Sequence, residues 1–562
     1  YSLNNYNPIN GIIKYILFIL IPFLVFLVSK LFFFKINIKT FLKSFKIDNQ
    51  KIDEEKKIYY LFFVLIGYII FEFFSLNFPL HKIDIYHEGQ RLSSAYKSLL
   101  DDSLWSGSYV TVGIIYETIG TRFIWQLFNT ETIGLVRFLD IIFIFFTKIL
   151  LVLFLLQVTK YTKLDLKFKL FFFLIVSLLS LKLINYNLYS TDHIHYREIP
   201  ILITLIVVIK SFNKSSILSN LILGFLSIFV FLWSIDRGIV FSLFLILFCI
   251  FLIFNKRYKD TVTLFICILL FWLSFYLFQI EEFNAFLSNT YSVVSELSYV
   301  HGIIHPAPFS DEENSSRATK NLIAILFSIV FSINFLLSKD TSDTKKFKFI
   351  LLFLSTICFL SYIYALGRTD GPHLKQAFGF PSIFLIIIIT YFLLKNISNW
   401  KISIFNNSKI LNQIPLIIVI LITLFKSDYV NMLSYKERFL TYINLDDDKF
   451  LMEEDKYFIN DANNHFKNEN CVQLFTNDAA LLYLLRKPSC SKFYFFWSIG
   501  SEKNQKKLIN NSTNIKYIIA NGSTDNWSLS LDIKYPILYN FINNNFIEKT
   551  KIGNRTILYR KN

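Results

Sequence analysis

Charge is scarce in this chain. Only 17% of its 562 residues are Asp, Glu, Lys or Arg, against roughly 25% in a soluble globular protein. Glycine (16) and proline (11) are few, which excludes a collagen-like fibre and the usual disordered compositions. Five cysteines are too few for a disulfide-stapled mini-protein. Catalytic signatures are missing too. There is no G-x-x-x-x-G-K-[ST], no H-E-x-x-H, no G-x-S-x-G and no G-x-G-x-x-G at a strand–helix turn. Any activated group must therefore arrive with the substrate or from a gradient.

What is present is apolar. Hydrophobic residues make up 54%, with 64 Phe and a mean hydropathy of +0.47. Continuous apolar runs exceed the ~18 residues that mark a membrane-spanning helix, and they do not alternate as barrel strands do. The chain reads as a polytopic α-helical membrane protein with about twelve spans: 12–34, 58–80, 134–157, 169–187, 198–213, 216–233, 239–255, 261–279, 320–338, 347–366, 377–395 and 411–426, of which the fifth and twelfth are short. It begins at Tyr1 and shows no cleavable signal peptide.

A net charge of +16 would suggest nucleic acid in a soluble domain. Its distribution suggests topology instead. Lys35, Lys39, Lys43, Lys46, Lys51, Lys56, Lys57, Lys160, Lys163, Lys167, Lys256, Arg257, Lys259, Lys345 and Lys346 fall on one set of alternate loops. By the positive-inside rule these loops are cytoplasmic, and no nucleic-acid partner is expected. The opposite set, including the long 81–133 loop and everything after 427, is external.

Residues 1–427 thus form the membrane domain, and 428–562 a small external α/β domain. Strands are expected at Cys471–Thr476, Lys492–Trp497, Ile515–Ala520 and Thr556–Tyr559. Helices are expected at Asp447–Phe466, Asp478–Leu485, Glu502–Asn510 and Pro536–Asn544. Cys471 and Cys490 lie in this domain. In an oxidising compartment they can close a roughly 20-residue loop, worth about 3 kcal/mol; otherwise they are two buried thiols.

Ionisable residues at membrane faces are functional candidates by default. The segment His81-Lys82-Ile83-Asp84-Ile85-Tyr86-His87-Glu88-Gly89-Gln90-Arg91 follows the second span directly. Continued as helix, it puts Asp84, Glu88 and Arg91 on one face, where two carboxylates raise one pKa and suit that acid to be a base. Further on come Trp105, Gly107, Tyr109, Gly113, Tyr116, Glu117, Gly120, Arg122 and Trp125, which fit amphipathic helices lying on the bilayer or a sugar-stacking platform; Trp125 reads as a membrane-interface residue. Arg137 and Asp140, one turn apart, are expected to pair. His193 and His195 make a weak metal pair, and Arg197 a better anion partner. Asp236 and Arg237 form a candidate ion pair. Arg368, His373 and Lys375 lie on a tight turn suited to a phosphate.

With its many spans, an acidic motif opening a long external loop and an external tail, the chain resembles the GT-C superfamily of integral-membrane glycosyltransferases. The motif Asp84-x-x-His87-Glu88-Gly89 is similar to the acidic pair of protein O-mannosyltransferase-like members. The tail from Cys471 through Tyr483-Leu484-Leu485-Arg486-Lys487-Pro488-Ser489-Cys490 to Phe493-Tyr494 looks like tails on bacterial members. The acids here are not adjacent, and an extra span precedes the Lys-rich loop. The resemblance implies transfer of a sugar from a polyprenyl-phosphate donor to an envelope glycan, lipid or protein acceptor at the external face of a bacterial inner membrane. It makes Asp84 the base and Glu88 a second carboxylate or metal ligand, with a divalent cation left open. Arg91, Arg197, Arg237, Arg368 and His373 become candidate lipid-phosphate partners. Competing readings are a flippase or transporter for a lipid-linked glycan, and an O-antigen-type polymerase or ligase.

Overall fold

The computed structural model describes residues 8–32, 56–186, 193–212, 216–301, 308–311, 314–338, 344–362, 365, 371–399, 411–426, 428–496, 499–522, 532 and 535–561. In the first part helices α1 (Pro8–Phe32), α2 (Lys56–Phe74), α3 (His87–Asp101), α4 (Gly120–Phe128), α5 (Ile133–Lys160) and α6 (Leu166–Leu181) follow in order. Next come α7 (Ile199–Lys210), α8 (Ile217–Trp233), α9 (Ile235–Phe254), α10 (Tyr258–Phe278), α11 (Ile280–His301) and α12 (Ser315–Leu337). Then come α13 (Lys345–Ser361), α14 (Gly371–Ala377), α15 (Gly379–Asn399), α16 (Ile414–Lys426), α17 (Tyr429–Leu433) and α18 (Tyr435–Ile443).

Each expected span coincides with a helix. Six are long and apolar enough to cross a membrane: α2, α5, α9, α10, α12 and α15. The other six fall below that mark among the described residues. Helix α7 has 12 residues and α16 has 13, about 18–20 Å at 1.5 Å per residue, against a hydrocarbon layer of about 30 Å. Between α2 and α5 a charge is kept by pairing: Lys148 Nζ reaches Glu72 Oε2 at 2.7 Å and sits 4.0 Å from the Tyr186 ring.

The tail holds α19 (Glu453–Phe466), α20 (Ala480–Leu484), α21 (Glu502–Asn511) and α22 (Pro536–Asn545) around a four-stranded sheet. Strands β1 (Gln473–Phe475), β2 (Tyr517–Asn521), β3 (Phe546–Ile552) and β4 (Arg555–Arg560) lie in the order β1-β2-β4-β3. β1 and β2 are parallel; the other pairings are antiparallel. Cys471 and Cys490 are joined as a disulfide.

Two strand assignments are corrected. Residues 492–496 are irregular: Phe493, Tyr494, Phe495 and Phe496 are all buried. Serine hydroxyls of Ser489 and Ser491 and the Gln473 amide bind the Phe493 carbonyl in place of a ladder partner. Conversely β3, with its charged Glu548, Lys549 and Lys551, is an edge strand whose sequence reads as surface.

The tail does not stand apart. One apolar cluster joins Ile83, Leu92, Ile124, Trp125 and Leu139 to Phe450, Leu474, Leu481 and Tyr483. Trp125 is therefore 1% exposed and stacked on Tyr483, with ring centroids 5.3 Å apart. Burial by the tail, not a membrane interface, explains it.

Candidate functional site

After α2 the chain runs extended past Pro79 and is pinned to the tail, where Ile83 N donates to Phe450 O at 2.8 Å. A turn then opens α3. Asp84 Oδ1 accepts from the backbone N–H groups of Tyr86 (3.0 Å) and His87 (2.8 Å), and Oδ2 lies 2.8 Å from His87 Nδ1. Short acceptor side chains form such turns readily. Asp84 therefore precedes the helix, and the expected shared face of Asp84, Glu88 and Arg91 does not form. Its electrostatics are corrected too. Burial pushes the Asp84 carboxyl up, but the His87 side chain and the two N–H groups outweigh it, leaving the acid below its ordinary value. Asp84 keeps 33% of its side chain exposed and His87 62%, so the pair is open.

Beneath it lies a sealed layer of ion pairs. Glu88 takes Arg137 in a two-pronged bridge, Nε–Oε1 2.6 Å and Nη2–Oε2 2.9 Å, while Glu88 Oε2 accepts from Asp84 N at 3.0 Å. Arg137 also donates to the carbonyls of Pro79, His81 and Lys82. Arg91 pairs with Asp140 at 2.5 Å, its Cζ 4.2 Å from the Tyr116 ring. Arg137 and Asp140 thus do not pair with each other. Facing i, i+3 rows on α3 and α5 exchange partners, each arginine taking the carboxylate of the opposite helix.

A single π-helical turn, Ile115–Ile119, brings Tyr116 over Arg91 and turns Glu117 inward. Such turns recur at functional sites. Glu117 accepts from Thr111 N and Oγ1 (both 3.1 Å), from Val112 N, and from Tyr494 OH at 3.2 Å. Burial raises its carboxyl above the ordinary value despite these donors.

The separate loops meet. Ile235 N donates to Val112 O at 2.7 Å, and Gly113 lies against Trp233 O. Arg237 bridges Glu198 and Asp236, the latter at 2.9 Å. Tyr116 stacks on Tyr196, centroids 4.6 Å apart. His193 carbonyl touches Gly379, where a β-carbon would collide, so the 193–198 loop seats on the α14–α15 junction that carries His373. Burial, helped by Arg197 and Arg237, holds His195 well below its usual value and neutral.

Among the expected site residues, Arg91 and Arg237 are each 2% exposed and present no guanidinium to the surface. Arg197 and His373 are half-buried. Arg368 lies outside the described residues. Among the described residues, no group of three or more His, Cys, Asp or Glu side chains can hold a metal ion; the His193/His195 pair is no exception. The sequence grouped Tyr116 and Glu117 with interface or sugar-stacking residues and took Tyr494 for a strand residue; their meeting at the π-turn was not foreseen. An isolated acid inside an aromatic, glycine-punctuated loop was the available signal.

No protein-family profile matches the chain, and no curated protein sequence does. Among solved structures it is similar to the Archaeoglobus fulgidus oligosaccharyltransferase, crystallised tethered through a disulfide bond to an acceptor peptide containing the NVT sequon. Identity is 9% and the TM-score 0.43, over 88% of this chain and 74% of that one. A likeness of that score fixes neither fold nor activity.

Proposed function

We propose that this chain is an integral-membrane glycosyltransferase. It moves a sugar from a polyprenyl-phosphate donor to an envelope glycan, lipid or protein acceptor at the external face of a bacterial inner membrane. The observation that carries this reading is an open, anionic Asp84 fixed by His87 over a sealed ion layer, on the loop that also meets the 193–198 and 234–238 segments. In the step, the acceptor O–H gives its proton to the Asp84 carboxylate as the acceptor oxygen bonds the anomeric carbon. The bond from that carbon to the phosphate oxygen breaks, and polyprenyl phosphate departs. Glu88, with Arg137 on both oxygens, holds the Asp84 turn through the Asp84 N–H. Arg197, His373 and Arg368 are the proposed partners of the departing phosphate, where charge develops; Arg91 and Arg237 set the loops from below.

The test is transfer of label from a panel of polyprenyl-phosphate sugars into envelope extract. Asp84→Asn should lose roughly 10²–10⁴-fold in rate, the usual share of a general base, with unchanged thermal stability. Full transfer by Asp84→Asn would remove Asp84 from the chemistry. Label that only crosses liposome bilayers, equally with wild type and variant, would make the protein a flippase.

A further inference from the structure

Helix α16 is too short to cross the bilayer, yet its apolar surface does not end where it does. Phe425, one residue before its last, is 85% exposed; Val430 in α17 is 76% and Leu433 85% exposed. Exposed Leu440 of α18 extends the series. The segment that follows is tied to the end of α2. Asn431 Nδ2 donates to Asn77 Oδ1 at 2.8 Å, and Arg438 donates to the carbonyls of Phe74 and Leu76 at the end of α2 and to that of Asn431 in α17. Helix α17 is thus held level with the end of a spanning helix.

Helix α4 presents a matching face. Its Phe123 and Leu127, with Ile119 of the preceding π-turn at the same four-residue spacing, are exposed, while Thr121, Ile124 and Trp125 on its other side are buried. Phe128 at its end meets Phe439 of α18 at 5.8 Å, and both α4 and α18 pack on α5. The two apolar faces therefore flank the same end of α5. Lys426 and Lys436, both exposed, border the series.

We propose that α4 and the α17–α18 elbow form an interfacial band that sinks into the acyl–headgroup boundary of the leaflet on the tail's side. A contiguous set of large exposed apolar side chains signals an interaction surface. Here it is continuous with the outward-facing Leu421, Leu424 and Phe425 of α16 and with the exposed Phe63 and Phe71 of α2, which a spanning helix turns toward lipid. Helices of this composition lie in the interface plane, with flanking cations toward headgroups. The band holds the loop and tail down on the membrane, and the assignment does not depend on the transferase reading.

The experiment uses the full chain in phosphatidylcholine–phosphatidylglycerol vesicles, with Cys249, Cys267 and Cys358 replaced by Ser. Phe123→Cys, Leu433→Cys and, as an aqueous control, Tyr457→Cys on the tail are each labelled with bimane. At 123 and 433 quenching by headgroup-proximal doxyl lipid should exceed quenching by iodide, with the order reversed at 457. Iodide quenching at 123 and 433 equal to that at 457 would overturn the band. So would protection from both quenchers together with cross-linking between copies, which would make the face a subunit interface. A change of one face only, with the other iodide-accessible, would also overturn it, because the two are proposed to act as one surface.

Discussion

Glu88 and Arg137 are nearly sealed from solvent, and each satisfies the other on two atoms. Removing one partner leaves a buried, uncompensated charge, which typically costs about 3–5 kcal/mol. Arg137→Ala should therefore lower the detergent melting temperature sharply. The paired Glu88→Gln, Arg137→Gln change should lose less than the two single changes added together, since it strands no charge. Equal or larger loss in the double variant would mean that the bridge is not the stabilising unit. The sequence marked these acids and bases as candidates but mispaired Arg137 and Asp140, because an i, i+3 neighbour on one helix is visible in the sequence and a partner on a crossing helix is not.

At the scale of elements, the contact between α3, the π-turn and the tail decides the geometry. Ala480 N donates to Ile85 O at 3.0 Å, Ser93 Oγ to Ala479 O at 2.5 Å and Tyr109 N to Lys492 O at 2.9 Å. Gly89 allows the approach, since a β-carbon there would collide with the backbone of Ala479 and Ala480. Gly89→Ala should cost about 1–3 kcal/mol through forced backbone shifts, seen as faster hydrogen exchange along α3 and α20. Unchanged exchange would refute the close contact. Glu117 makes the same junction pH-dependent. Its folded carboxyl is raised, so its contribution is fully present below the unfolded pKa and falls as pH rises through the folded one. Glu117→Gln should accordingly flatten the dependence of melting temperature on pH above about 4.3, the ordinary glutamate value. A variant with the wild-type slope would place the titration elsewhere. No periodicity in the sequence announces this junction, because its residues come from two regions more than 350 positions apart.

For the whole molecule, the shared core means that the tail supports the loop that carries Asp84. The Cys471–Cys490 disulfide closes a loop with a sequence separation of 19, for which about 3 kcal/mol is expected. A Cys471→Ser, Cys490→Ser variant should lose stability in the tail and increase proteolysis near 471–490. It should also lose transfer activity, although neither residue touches the Asp84 turn. Lost stability with full activity would show that the tail is dispensable to the site.

Hydropathy by itself determined the helical membrane class and the position of each apolar helix, because burial in lipid requires local, continuous apolar runs that the sequence displays directly. Most tail elements followed from short apolar runs set among polar residues, a signal of the same local kind. The short runs at 198–213 and 411–426 were visible in the sequence too, whereas only the tertiary structure decided which carboxylate meets which guanidinium. It alone buried Trp125 under the tail and put Asp84 before its helix instead of on it. Those outcomes depend on elements meeting from distant parts of the chain, and the energy of such meetings is written in no single segment.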